Sequence, residues 1–73
     1  MKGIYVSAKL KNVSKGHADV VVGGEVIGFV EFNQSARQWW GYDGEERRIG
    51  NWPSPKRDEA VRDVVRATFP HAA

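Results

Sequence analysis

The sequence predicts an α+β fold, in which an antiparallel meander of four or five strands carries one C-terminal α-helix packed on one face. Three observations predict it. Apolar and polar residues alternate from Ile4 to Lys11, the period-two pattern of a strand with one buried and one wet face. The pairs Gly23-Gly24 and Asp43-Gly44 punctuate β-rich runs where hairpins turn. Near the end of the chain, Ala60, Val61, Val64, Val65, Ala67 and Thr68 make a stripe at helical spacing.

In chain order, strands are predicted over residues 4–11, 18–22, 25–32, 37–42 and 47–52, and a helix from about Pro55 to Phe69. Asn12 to His17 carries Asn, Ser and Gly and reads as a loop. If Gly23-Gly24 turns a hairpin, Val21, Val26, Val30 and Phe32 share one face with Gly28 between them. A bulge in one long strand is the alternative. Asn33 to Ala36 reads as a polar loop, and Tyr42-Asp43-Gly44-Glu45 as a tight turn. Ser54 is placed to cap the exposed amides of the helix, with Pro55 at its first position, where no hydrogen bond is lost. Asp58 and Glu59 suit the positive end of the helix dipole, and Asp58 is spaced to pair with Arg62. Pro70 stops the helix, leaving His71-Ala72-Ala73 as a frayed tail.

A chain of 73 residues is predicted to be one small domain, 1–73, with a thin core. Its charges are mixed. Residues 1–24 carry a balance of +3, residues 25–54 of −2 and residues 55–73 of +1, for a net +2. That excess gives slight support for an anionic partner and no basic stripe of the kind nucleic-acid modules show. Cysteine is absent, which excludes disulfide scaffolds, thiolate metal sites and cysteine nucleophiles. The longest apolar run is Val20 to Val22, and Lys2 is followed by no apolar stretch of signal length. No membrane association and a cytoplasmic location are therefore expected.

Catalytic chemistry finds no purchase in the sequence. His17 and His71 are isolated, one in an expected loop and one in the tail, so no metal site is expected. None of the serines sits in a nucleophile elbow. Glu45 and Glu46 are adjacent beside a turn and read as solvated. Gly23, Gly24 and Gly28 are followed by no helix and no lysine, so they form no phosphate loop. The expectation is a non-enzyme without cofactors.

Gln38-Trp39-Trp40-Gly41-Tyr42 carries the most information, with three large aromatic rings in five residues. On a strand, Trp39 and Gly41 face one way while Gln38, Trp40 and Tyr42 face the other. One helix can cover only one of those sides. A hairpin centred on Asp43-Gly44 brings Arg48 beside Trp40 or Tyr42. Aromatic rings next to arginine on an open sheet suit base stacking, phosphate contact or a protein hot spot. The competing reading is that the N-terminal strand, or the loop before Arg37, covers these rings. Trp40, Tyr42 and Arg48, with Arg37 and Arg47, are the candidate binding residues.

The stretch Val26 to Val65 resembles the three-strand-plus-helix DNA-binding module of plant ethylene-response domains and of tyrosine-recombinase amino-terminal arm-binding domains. The similar features are a strand pair around Trp39-Trp40-Gly41-Tyr42, a closing strand Ile49-Gly50-Asn51-Trp52 and a helix beginning Asp58-Glu59-Ala60-Val61. Gly50, Trp52 and Ala60 match that pattern. The resemblance implies DNA recognition by the sheet face away from the helix, which places Trp40, Tyr42 and Arg48 there. Glu45 and Glu46 stand where such modules carry basic residues, and Glu25 to Phe32 has no arginine. Two partners are therefore expected in competition. One is DNA, bound by a nucleic-acid accessory module; the other is a protein, bound by an adaptor such as a small phage-type regulator. Both would use the same aromatic face.

Overall fold

The computed structural model describes residues 8–70, apart from the side chains of Asn51 and Trp52. The expected strand start at Ile4 and the tail from His71 lie outside these residues. Strands β1 (Ala8–Ser14), β2 (His17–Val22), β3 (Glu25–Asn33), β4 (Gln38–Asp43) and β5 (Arg48–Ser54) form one antiparallel sheet. Their spatial order equals their chain order, and α1 (Arg57–Thr68) follows. The fold is α+β, an open sheet with a C-terminal helix packed on it.

The helix lies across β3, β4 and β5 and reaches β2 only at its margin. The buried hydrophobic residues beneath and around it are small: Ala18, Val20, Val30, Ala60 and Val64. Leu10, Ile27, Trp39, Ile49, Val61 and Val65 close the rim of this core. Two glycines set the depth of the helix. A Cβ on Gly41 would stand 2.9 Å from Val64 Cγ2 and 3.1 Å from the Ala60 carbonyl oxygen. A Cβ on Gly28 would stand 2.8 Å from Val64 Cγ1 and would collide with the Tyr42 carbonyl oxygen. Ala60 and Val64 therefore rest on bare sheet backbone, one helical turn apart on one helix face.

Several local expectations are corrected. Asn12 to His17 is not all loop: β1 runs to Ser14, β2 begins at His17, and only Lys15-Gly16 turns. Both the Gly23-Gly24 hairpin and a bulge occur. Val20 pairs with Gly28 while Val21 pairs with Val26, so Ile27 is the extra residue. The bulge reverses the alternation. Val21 and Val26, which is 52% exposed, consequently lie on the side opposite Val30. Arg37 does not begin β4. It ends the preceding turn at φ 54°, after the Asn33 side chain has accepted a bond from the Ala36 amide.

The turn after β4 is longer than its Asp-Gly signal suggests. The Glu46 amide donates to the Asp43 carbonyl, the Asp43 amide donates to the Arg47 carbonyl, and Glu46 takes φ 65°. This is a three-residue loop, Gly44–Glu46, with its left-handed residue last. The helix starts two residues later than expected. Ser54 belongs to β5, and the N-cap is Lys56, in extended backbone and without a side-chain cap bond. Ser54 pairs with Trp39 while Ile49 pairs with Gly41, so residues 50–53 bulge out of β5, with Gly50 at φ 79°. That bulge, which includes Pro53, consumes the chain that the Ser-Pro signal assigns to a cap. Asp58 and Arg62 form no ion pair among those of the described residues, and Ala67 of the apolar stripe stays exposed.

Candidate functional site

The face of the sheet away from α1 is built by cross-strand register. One row runs Lys11, Asp19, Phe29, Tyr42, Arg48 through all five strands, each residue opposite the next. The row beside it runs His17, Glu31, Trp40. Directly opposed side chains on one sheet face sit within reach of each other, and long or aromatic ones also reach along the diagonal.

Both kinds of contact form here. Phe29 is sandwiched: its ring lies 4.7 Å from His17 at an interplanar angle of 15° and 4.6 Å from Tyr42 at 12°. The Arg48 guanidinium lies over Trp40, with Cζ 4.1 Å from the ring centroid. Such a contact contributes about 0.5–1 kcal/mol at exposed sites. His17 sits between two carboxylates, Nδ1 3.2 Å from Glu31 Oε2 and Nε2 3.7 Å from Asp19 Oδ1. Aromatic rings, one guanidinium and two carboxylates thus share a single surface, with Lys9 and Lys11 exposed at its β1 margin.

Of the candidate binding residues, Trp40, Tyr42 and Arg48 are brought together on this face, with Arg48 reaching Trp40 across the hairpin. Arg37 and Arg47 are not part of the group. They flank opposite ends of β4, each in a turn. Arg47 is engaged in its own turn: its amide donates to Asp43 Oδ1 at 2.9 Å, its Nε to Asp43 Oδ2 at 3.2 Å, and its guanidinium also bonds Glu45. Asp43 also accepts the Glu45 amide at 2.9 Å. Its carboxyl is held below the ordinary value of 3.8, chiefly by the Arg47 amide bond, with further lowering by the Glu45 amide and the Arg47 guanidinium.

His17, Phe29 and Glu31 were not singled out by sequence. The local sequence of His17 reads as a loop, and the strand pattern around Phe29 carries no hint that it stands opposite Tyr42. The parity of β3 was the available signal, because Val30 and Phe32 on the helix side leave Phe29 and Glu31 on the other. Of the competing reading, in which the N-terminal strand or the loop before Arg37 covers the rings, the part of the strand before Ala8 lies outside the described residues. Within them β1 extends the sheet beside β2, and no described helix or strand crosses the open face.

Among the described residues, no group of three His, Asp or Glu side chains is arranged to hold a metal ion, and no helix is long and apolar enough to cross a membrane. No protein family, curated protein or solved structure matches the chain.

Proposed function

We propose that the chain is a non-catalytic protein-binding module whose contact surface is the open sheet face centred on Trp40 and Arg48. The observation that carries this reading is the orientation of the rings. A platform for bases needs aromatic faces free to accept them. Here both faces of Phe29 are taken by His17 and Tyr42, and one face of Trp40 is taken by Arg48. What remains outward is ring edge, guanidinium and carboxylate. Asp19 and Glu31 stand in the middle of the surface, where a phosphate backbone would meet like charge. A protein hot spot tolerates this mixture, since tryptophan, tyrosine and arginine anchors are its most enriched residues. A cytoplasmic location belongs to the same proposal, since with no cysteine nothing in the chain calls for an oxidising compartment.

The test is affinity capture from nuclease-treated extract with wild-type and Arg48→Ala baits, followed by titration of the captured protein. Arg48→Ala should weaken that complex by about 1–3 kcal/mol with the melting temperature nearly unchanged. Binding lost on nuclease treatment, or falling steeply between low and moderate salt as counterion release requires, would transfer the face to DNA.

A further inference from the structure

The meander sorts charge between its two ends. The β1–β2 turn, the β3–β4 turn and the start of α1 lie at one end, where they gather Lys15, Arg37, Lys56 and Arg57 against Asp58 and Glu59. The opposite end holds Glu25, Asp43, Glu45 and Glu46 against Arg47. The ion pairs among the described residues involve none of the four cations at the basic end.

The same end contains a recess of about 280 Å³ over Phe32 and Trp39, with Lys15, Gly16 and Gln34 completing its wall. Its floor is a pair of tilted rings, centroids 5.3 Å apart at 59°. The Phe32 amide donates to the Gly16 carbonyl at 2.8 Å, which folds the β1–β2 turn against the recess and sets Lys15 at its rim. On the helix side, Arg57 Cζ lies 5.9 Å from the Trp39 ring centroid. An aromatic recess is thus flanked by cations on two sides, and no acidic side chain lines it.

We propose that this recess docks an acidic peptide segment of a partner protein, one apolar or aromatic side chain resting on the Phe32–Trp39 ring pair while Lys15 and Arg57 hold carboxylates on either side. The surface is separate from the open sheet face. The size of the recess sets the occupant: it falls just under the range of about 300–1,000 Å³ usual for whole small-molecule ligands, and suits a single large side chain. The charge sets the flanks. A nucleic-acid strand fits less well, because duplex DNA presents a charge about every 1.7 Å and would run on past Asp58 and Glu59 on one side or Glu31 on the other. A peptide can end its acidic run where the cations end.

Fluorescence anisotropy of the intact chain with a labelled peptide, Asp-Glu-Asp-Phe-Glu-Asp-Glu, tests the proposal. The comparison ligands are the same peptide with Ala for Phe and a short oligothymidine. Lys15→Glu and Arg57→Glu should each weaken the phenylalanine peptide about tenfold, replacing its Phe should do the same, and Arg48→Ala should leave it unchanged. Thermal melts of each variant confirm that folding is intact. The proposal is overturned by no binding at about millimolar peptide, by equal binding of the alanine peptide, or by tighter binding of the oligothymidine. It is also overturned if Arg48→Ala rather than Arg57→Glu abolishes binding, a result that leaves the open-face reading standing.

Discussion

Beneath the helix the sheet presents Ala18, Val20, Gly28, Val30 and Gly41; on the other side the same strands present His17, Phe29, Trp40, Tyr42 and Arg48. The small set is buried and the large set is half-buried or exposed. A short helix with alanine and valine contacts can approach closely only where the sheet offers little side-chain volume, and the two glycines under Ala60 and Val64 are the extreme of that rule. Close approach excludes water without large residues, so cohesion on this side comes from proximity. Among the described residues the opposite side has no layer above it. Its rings shield one another face to face along the sheet, which keeps polar tips and ring rims outward and available.

The contrast can be broken most severely at Val64, which is fully buried between Gly28 and Gly41. Val64→Asp places an unpaired charge there at a cost of several kcal/mol, and circular dichroism should show no cooperative thermal transition. Gly28→Ala comes next. Its methyl group meets the Tyr42 carbonyl, which is backbone and cannot swing away, so about 3 kcal/mol should be lost in urea titration. Gly28→Ala melting like the wild type would mean that the helix is not seated on bare backbone.

Trp40→Ala sharpens the comparison from the other side. Loss of its contact with Arg48 and part of its apolar cover should cost about 1–2 kcal/mol, against about 3–5 kcal/mol for an aromatic ring deleted from a core. A loss in the core range would show that Trp40 holds the fold together, and the open-face reading would fail.

The smallest expected effect lies at the sheet's end, at Asp43. Its folded carboxyl titrates lower than its unfolded one, so its ionised form adds stability above pH 3.8 that disappears as pH falls through the folded value. The melting temperature of Asp43→Asn should be below wild type near neutral pH and converge on it in acid. A constant gap across that range would show that the charge is not what matters.

The elements that follow a single period were legible. Alternation at Ala8 to Leu10, the valine stripe of α1 and the Gly23-Gly24 turn led to the correct elements, and parity placed Trp39 and Gly41 opposite Trp40 and Tyr42. What failed depends on chain that does not keep step. The bulge at Ile27 moves Val26 to the other face, and no local residue announces it. Residues 50–53 bulge from β5, so Ser54 and Pro55, which locally resemble a helix start, continue and leave the strand. The Asp43-Gly44 pair suggested a two-residue turn, but the Asp43 carboxylate gathers the amides of Glu45 and Arg47 and stabilises a longer loop. The grouping of His17, Phe29 and Tyr42 was hidden for a related reason: it is a property of three strands in register, and no window along the chain contains it.

Because each of the described strands pairs with its neighbour in the chain, the sheet can assemble by successive hairpin closure without first bringing distant segments together. Hairpins form in about 1–10 μs, and folding slows mainly when contacts of large sequence separation must be made early. Here the longest closures are those of α1, chiefly onto β3 and β4 and at its margin onto β2, and the helix has nothing to settle on until Gly28 and Gly41 lie diagonally across the β3–β4 pair. The rate-limiting event is therefore expected to be the docking of α1 on the β3–β4 hairpin. Substitutions at Val30 and Val64 should slow folding, whereas those in β1 should act mainly by speeding unfolding.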